Sequence, residues 1–173
     1  MVPARVIHEG VYVLEVRHVA PFDPLVVPMF AELDHEYRSR YGSAEDVSPE
    51  MTRYSLKDFR RPGGGLVLLV DAGAPVAGGA FRRHDDDTAE FKRIWTAAAH
   101  RRRGLARRVL VELEGEARRR GYTRVHLATG PRQPEATALY LASGYTPLYE
   151  VTLPAEQVGE HAFEKKLPPL PPL

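Results

Sequence analysis

Residues 101–106 read RRRGLA and lie at the start of the clearest helical pattern of the chain. That pattern runs from Gly104 to Arg120 with apolar residues at steps of three and four, and a strand-like stretch, Glu90 to Thr96, precedes it. Backbone N–H groups at a helix N-terminus point outward at an anion, and Gly104 has no Cβ to obstruct the approach. The neighbouring arginines add forked donors suited to phosphate oxygens, so this turn predicts a phosphate site.

Two common phosphate loops are excluded by the residues of this turn. A Walker loop needs a Lys-Ser or Lys-Thr pair after its last glycine, whereas Leu105-Ala106 follow Gly104 here. The dinucleotide fingerprint with three spaced glycines is missing as well. The turn therefore predicts a pyrophosphate site of another kind.

Outward from this turn, strand and helix patterns alternate along the whole chain. Strands are predicted at Val11–Arg17, Leu66–Val70, Val76–Arg82, Glu90–Thr96, Thr123–Thr129 and Ala162–Leu167, with one more around Tyr145–Leu153. Helices are predicted at Leu25–Tyr41, Gly104–Arg120 and Pro134–Ser143, with a short one at Pro49–Phe59 for which Ser48 would be the N-cap. This order predicts an α/β (α+β) fold with a mixed central sheet of six or seven strands flanked by about four helices.

Details of two elements follow from their residue patterns. Leu66–Val70 is an unbroken apolar run, which is typical of a strand buried on both faces. In the long helix, the glutamates and arginines are expected on the solvent face, with Gly121 as the C-terminal cap. The expected ion pairs at i,i+4 spacing are Glu114 with Arg118 and Glu116 with Arg120, and Glu112 is expected on the same face.

Length and composition limit the class of protein. The 173 residues, 43% apolar and 27% charged, favour one domain over 1–173, with a core at 8–168 and a proline-rich tail at 168–173. The absence of cysteine excludes disulfides, thiolate metal sites and covalent catalysis through a protein thiol. The start resembles no secretory leader and no long apolar run occurs, so we expect a cytoplasmic protein without a membrane partner.

The residues around the turn resemble the GNAT superfamily of N-acetyltransferases. Arg101, Gly104 and Ala106 match its signature of Gln or Arg, two residues, Gly, one residue, then Gly or Ala. A second block, 133–145, resembles the family's Asn-x-x-Ala-x-x-Leu-Tyr-x-x-x-Gly-Phe motif, with Gln133 and Tyr145 as its departures. The resemblance covers roughly 66–146 and implies the GNAT fold, with a splay between the fourth and fifth strands.

The resemblance also implies acetyl-CoA as the acyl donor. In the family the pantetheine arm lies in the splay and bonds to strand main chain, a role that would fall here to Ile94, Trp95 and Thr96. The loop that would hold the pyrophosphate comprises Arg101, Arg102, Arg103, Gly104, Leu105 and Ala106, with Arg107 adding to it. We therefore expect an enzyme that transfers an acetyl group to a primary amine of a small molecule or peptide.

Three chemical tasks follow from direct attack of an amine on the thioester. Tyr140 is the candidate acid for the departing thiolate, because its family counterpart points at the sulfur; a core aromatic is the alternative interpretation. Glu90, at the start of the strand, is the candidate base. A backbone N–H of the strand Glu90–Thr96 is the candidate oxyanion donor.

Rival interpretations remain open at this point. One is a CoA-binding regulatory domain of the same fold without turnover. Another is a nucleic-acid-binding module that uses the arginine clusters, although a net charge of +1 argues against it and we expect no nucleic acid partner. The acceptor is not fixed by the fold, and a homodimer is an open option. Residues that could contribute to an acceptor pocket are Phe30, Asp34, Tyr37, Tyr41 and the region near Tyr149.

Metal ligands are not predicted by the sequence. The seven histidines show no spacing typical of a metal site. The run Asp85-Asp86-Asp87 is more typical of a solvated hairpin tip than of a cation site. We therefore expect no metal.

Overall fold

The computed structural model describes residues 3–42 and 49–173, and these contain one eight-stranded mixed sheet with the spatial order β1-β2-β3-β4-β5-β6-β8-β7. All neighbouring strands are antiparallel except β5 and β6, which are parallel. The strands are β1 Arg5–Glu9, β2 Tyr12–His18, β3 Gly65–Asp71, β4 Ala74–Arg83, β5 Thr88–Thr96, β6 Arg124–Thr129, β7 Thr146–Pro147 and β8 His161–Lys166.

Helices cover both faces of this sheet. They are α1 Val27–Tyr41, α2 Pro49–Thr52, α3 Leu105–Arg119, α4 Pro134–Ala142 and α5 Ala155–Val158. Short 3-10 segments occur at Pro24–Val26, Leu56–Phe59 and Ala98–His100. In the described part of the chain, no helix combines the length and the apolar character that crossing a membrane requires.

The predicted fold class is confirmed, and the strand count is higher by one or two. The strand that the sequence did not predict is β1, which has only one buried side chain, Ile7, and therefore little hydrophobic alternation. The strand expected around Tyr145–Leu153 is only the two-residue β7. The helix expected at Pro49–Phe59 is divided into α2 and a 3-10 turn, and its proposed N-cap, Ser48, lies outside the described residues.

Strand β3 separates two hydrophobic clusters, as its apolar run predicted. Val67 and Leu69 face a cluster with α3, while Leu66, Leu68 and Val70 face a cluster with α1. All five side chains are buried. The core therefore lies on both faces of the sheet, and β3 to β5 form its rigid centre.

A glycine in β4 permits the close approach between the sheet and α1. A Cβ on Gly78 would lie 2.9 Å from the carbonyl oxygen of Val67 and 3.0 Å from the sulfur of Met29. Real Cβ atoms do not approach main chain so closely, so any larger residue would push β3 and β4 apart.

The predicted splay between the fourth and fifth strands is confirmed. These strands are β5 and β6 in the structure, because β1 was not predicted from the sequence. The two strands pair only over Thr88–Phe91 and Arg124–Leu127. Beyond Phe91, β5 continues to Thr96 along β4 alone. A wedge therefore opens between β5 and β6.

Two glutamates of α3 are buried, contrary to the expectation of a solvent face. Glu112 is 4% exposed and Glu116 is 2% exposed. Glu116 accepts hydrogen bonds from Arg119 and Arg120, at 2.9 and 2.8 Å, so its expected pair with Arg120 is confirmed. Burial of a charge is tolerated when it is paired in this way.

The other expected ion pair of α3 is wrong. Glu114 accepts hydrogen bonds from the Tyr145 hydroxyl at 2.8 Å and from Lys165 at 3.0 Å, rather than pairing with Arg118. Arg118 instead donates to the carbonyl of Pro169 at 2.7 Å. These partners come from distant parts of the chain, which the i,i+4 rule cannot foresee.

Replacing Gly78 with alanine should lower the free energy of unfolding by about 1–3 kcal/mol, because the new Cβ overlaps main chain of β3. Urea unfolding followed by circular dichroism measures this. Gly115→Ala is the matched control, since its Cβ would meet only the Arg119 side chain at 3.5 Å within α3. That variant should gain about 0.5–1 kcal/mol. Equal effects of the two substitutions would contradict the packing argument.

Candidate functional site

One large cavity, of about 1020 Å³, lies where β5 and β6 diverge. It is lined by the open half of β5, by the turn before α3 and by residues of α1 and α4. A cavity of this size can bury a substantial organic ligand. The wedge in the sheet is therefore the natural place for a binding site.

The turn before α3 presents main-chain donors to the cavity. Gly104 is left-handed, with φ 78°, and no side chain caps the helix. The first backbone hydrogen bond of the helix runs from Arg108 N to Gly104 O at 3.1 Å. Among the described residues, the N–H groups of Leu105, Ala106 and Arg107 consequently have no acceptor.

The arginines of the turn point in different directions. Arg101, Arg102 and Arg107 line the cavity. Arg103 does not line it and donates instead to the Tyr12 hydroxyl at 2.8 Å. The structure thus places the predicted loop at the cavity and turns one predicted side chain, that of Arg103, away from it.

A bulge in β5 exposes main chain to the cavity. Pairing with β4 shifts between Gly78 and Ala80, so that β5 has one extra residue, and Arg93 is left-handed with φ 61°. The extra residue reverses which side chains of β5 face each side of the sheet. Phe91 packs on the α3 side, whereas Trp95, four residues later, packs on the α1 side. On the β6 side, the main chain of residues 92–96 has no strand partner.

The three strand residues predicted to bind the cofactor all line this cavity. Ile94, Trp95 and Thr96 border it where β5 lacks a partner. Trp95 is 3% exposed and its side chain packs in the α1 cluster. A ligand in the cavity would therefore contact the main chain of Trp95 rather than its indole ring. The Trp95 indole nitrogen and the Thr96 hydroxyl are buried without a hydrogen-bond partner among the described residues.

Tyr140 on α4 lines the cavity and is 5% exposed. Its ring packs edge-on against Phe163 at a centroid distance of 5.5 Å and beside Tyr145 at 6.0 Å. Burial raises the pKa of Tyr140 and keeps its phenol in the neutral, protonated form.

Residues of α1 form the opposite wall. Tyr37 and Tyr41 line the cavity as anticipated, whereas Phe30, Asp34 and Tyr149 do not. Burial raises the pKa of Tyr37 to about 12. Charged lining residues that the sequence did not single out are Glu36, Arg40, Glu50, Arg53, Lys92, Arg93, Glu135 and Glu160. They come from segments far apart in the sequence, so no local motif marks them.

Two buried cations on β5 meet a carboxylate of α2 at the cavity wall. Glu50 Oε1 lies 3.8 Å from Lys92 Nζ and 3.5 Å from Arg93 Nη1. Arg93 also donates to the carbonyls of Glu50 and Met51, at 3.0 and 3.4 Å. Burial lowers the pKa of Lys92. These contacts fix α2 against the bulge.

Glu90, the predicted base, does not line the cavity. Its carboxylate accepts a hydrogen bond from Arg82 at 3.0 Å and lies 3.5 Å from His126 Nδ1. Burial alone would raise the pKa of Glu90, but the contact with His126 and the charges of Lys92 and Arg82 outweigh burial and lower it to about 2. The structure therefore does not bring Glu90 to the other predicted site residues.

Comparison with known proteins identifies the sequence family. The model of the Acetyltransferase (GNAT) family matches residues 28–145, about two thirds of the chain. An uncharacterized N-acetyltransferase of Bacillus subtilis, YsnE, is 42% identical over 59 residues. That match covers 34% of this chain and 39% of the length of the curated relative.

Solved structures share the fold over nearly the whole chain. The GNAT domain of S. lividans PAT has a TM-score of 0.72 and 19% identity, covering 95% of this chain and 97% of its own. An acetyltransferase from Thermus thermophilus has a TM-score of 0.67 and 19% identity, covering 92% and 100%. A GNAT family acetyltransferase from Elizabethkingia anophelis, solved with acetyl-CoA bound, has a TM-score of 0.63 and 16% identity, covering 89% and 98%.

Glu90→Gln should flatten the dependence of stability on pH. The pKa of Glu90 is about 2 in the folded chain and near 4.5 unfolded, so its ion pairs stabilise the fold above about pH 4.5. This contribution is lost as the pH falls from 4.5 towards 2, and the substitution should remove roughly 1–3 kcal/mol at pH 7. Urea unfolding between pH 7 and pH 3 measures both quantities.

The control for that experiment is Glu156→Gln, which removes an exposed carboxylate that pairs with Arg132 at 2.8 Å. A surface pair contributes little, so this variant should follow the wild-type curve. If the free energy of unfolding depends on pH in the same way in Glu90→Gln and Glu156→Gln, the lowered pKa assigned to Glu90 is wrong.

Proposed function

The chain belongs to the Acetyltransferase (GNAT) family, and from that premise we propose that it is an acetyl-CoA-dependent N-acetyltransferase acting on a primary amine. The observation that carries the proposal is the first turn of α3, where three N–H groups have no acceptor among the described residues and face a cavity of about 1020 Å³. The curated relative named as an N-acetyltransferase and the neighbour with bound acetyl-CoA agree with it.

The turn before α3 holds the pyrophosphate of coenzyme A in this proposal. The amides of Leu105, Ala106 and Arg107 have no acceptor among the described residues, so an anion would complete their hydrogen bonding. The positive end of the α3 dipole adds to the attraction. Arg101, Arg102 and Arg107 supply further cationic donors from the cavity wall.

The pantetheine arm lies along the open half of β5. Main-chain groups of Ile94, Trp95 and Thr96 that lack a β6 partner can pair with its amides as a neighbouring strand would. The bulge at Arg93 turns main chain towards the cavity and offers an N–H to the developing oxyanion. This half of the strand is thereby assigned to binding and to carbonyl polarisation.

Tyr140 protonates the leaving thiolate. A cationic acceptor first loses one proton to solvent, and its neutral nitrogen then attacks the acetyl carbonyl. A C–N bond forms, the C–S bond breaks, and the sulfur leaves with the bonding electrons. Tyr140 is buried, lines the cavity and is neutral, so its hydroxyl has a proton to give to that sulfur. The proton released by the amine restores the phenol through solvent.

The acceptor enters beside α1 in this proposal. The carboxylates that line the cavity are Glu36, Glu50, Glu135 and Glu160, which favour the approach of a cationic amine. Glu90 takes no part as the base, because its carboxylate is engaged by Arg82 and its pKa is lowered to about 2. A carboxylate with so low a pKa is a weak acceptor of an ammonium proton.

Substituting Arg102 should weaken binding of coenzyme A, whereas substituting Arg103 should not. Both belong to the same run of arginines, but Arg102 lines the cavity and Arg103 is bonded to Tyr12. Isothermal titration with acetyl-CoA should show about a ten-fold higher Kd for Arg102→Ala, equivalent to about 1.4 kcal/mol, and an unchanged Kd for Arg103→Ala. A higher Kd for Arg103→Ala with an unchanged Kd for Arg102→Ala would mean that the pyrophosphate binds elsewhere.

Tyr140→Phe should keep the affinity for acetyl-CoA and lower kcat by about 10²–10⁴-fold, the usual contribution of general acid catalysis. Release of thiol from acetyl-CoA in the presence of a panel of primary amines measures turnover. Tyr122→Phe is the matched control, because its buried hydroxyl donates to Gly63 O at 2.6 Å, outside the cavity.

The same assay separates the proposal from its rivals. Turnover in Tyr140→Phe equal to that of the control would remove Tyr140 as the acid. Binding of acetyl-CoA without thiol release from any amine would favour a regulatory CoA-binding domain. A shift of short DNA or RNA that depends on salt, without CoA binding, would favour a nucleic-acid-binding module.

A further inference from the structure

A row of polar side chains crosses three adjacent strands on the face of the sheet opposite α3. Arg82 on β4 pairs in register with Glu90 on β5, and Glu90 pairs in register with His126 on β6. The residues that flank Glu90 and His126 along their strands, such as Phe91 and Leu127, point into the α3 cluster instead. Alternation along each strand therefore brings the row together.

A second histidine joins this row from the turn after β4. His84 follows Arg82 by two residues, and its ring lies parallel to that of His126, with centroids 5.1 Å apart and an interplanar angle of 15°. The potential ligand atoms of His84, Glu90 and His126 all lie within 4.8 Å of one another. Sequence spacing does not mark this group, because its members come from three different strands or their ends.

We propose that His84, Glu90 and His126 bind one divalent transition-metal ion of the zinc type. Two imidazole nitrogens and one carboxylate oxygen form a ligand set that zinc accepts, with water in the fourth position. None of the three residues lines the large cavity. The site is thus separate from the proposed acetyl transfer and does not rest on it.

The positions of the rings agree with a shared ion. Zinc lies about 2.0–2.1 Å from a ligating nitrogen, so two imidazoles on one tetrahedral ion have ring centres about 5 Å apart. The ring centroids of His84 and His126 are 5.1 Å apart, which agrees with that expected distance. His84 is exposed, so its ring can turn from the stacked orientation and direct a nitrogen at the ion.

Glu90 and His126 each have an atom that is available to coordinate a metal ion. His126 Nδ1 is buried without a hydrogen-bond partner among the described residues, although it lies 3.5 Å from Glu90 Oε2. An unpaired buried nitrogen is costly, and coordination would satisfy it. Glu90 Oε1 accepts from Arg82 at 3.0 Å, which leaves Oε2 for the ion.

The surroundings support the ligands and partly offset the local positive charge. A ligating carboxylate is commonly held by a second hydrogen bond, and Arg82 supplies one to Glu90. Arg82 and Lys92 would repel a cation, but three aspartates, Asp85 to Asp87, directly follow His84 in the hairpin tip, and of these Asp86 pairs with Arg83. Their exposed carboxylates attract a cation to this end of the sheet.

Bound metal would cross-link the sheet at the closed end of the splay. His84, Glu90 and His126 hold β4, β5 and β6 where β5 and β6 are still paired. An ion there binds only the folded arrangement of the strands, so it should stabilise the chain by mass action. A simple ion pair between protonated His126 and Glu90 would bring the same side chains together without binding metal.

Titration of the full chain with ZnCl₂ at about pH 7.5, in a non-chelating buffer, distinguishes these two interpretations. We expect one zinc ion per chain in isothermal titration, a higher Tm with zinc and reversal of that shift by EDTA. His84→Ala and His126→Ala should each raise the Kd for zinc at least about ten-fold, and Glu90→Gln should act in the same direction.

The matched control is His35→Ala, which removes a histidine of α1 outside the cluster and should leave the Kd unchanged. Absence of zinc binding by the wild-type chain would overturn the proposal. Binding that survives both His84→Ala and His126→Ala would overturn it too, because the ion would then lie elsewhere. His84 is exposed, so its substitution tests the site without disturbing the fold.

Discussion

The main-chain groups that β5 leaves unpaired beyond Phe91 are the constraint on which the rest of the structure depends. Parallel pairing with β6 stops at Phe91 and Leu127, while β5 continues to Thr96. Backbone N–H and C=O groups need partners, and an open edge inside a domain is costly unless a ligand or water completes it. The amides in the first turn of α3, which have no acceptor in the described part of the chain, need partners as well.

The sheet beside that wedge is packed closely on both faces. β3 is buried on both faces, and the absence of a side chain at Gly78 lets α1 approach β4 closely. Glu116, buried at 2% exposure, anchors arginines at the C-terminal end of α3, far from the turn that faces the cavity.

The sequence predicted the parts of the site that local patterns encode. The turn around Gly104 and the strand residues 94–96 line the cavity, as the sequence predicted. A strand, a glycine turn and an amphipathic helix that follow one another directly can be recognised from local sequence. The direction of a side chain depends on distant partners, which is why Arg103 turns to Tyr12. The buried glutamates of α3 were misjudged for the same reason, since a helix pattern does not show which arginines will enclose a carboxylate.

Glu90 lies in the half of β5 that is paired with both β4 and β6, and it does not line the cavity. A strand that ran without interruption would place Glu90 and every second residue after it on one face, at one continuous site. The bulge at Arg93 reverses the alternation, so β5 is divided into two halves with different environments. In the closed half, Glu90 is fixed between Arg82 and His126; in the open half, main chain and buried cations face the cavity. The closed half of β5 is paired on both sides and the open half lacks a β6 partner, so the two halves of one strand present different chemical groups.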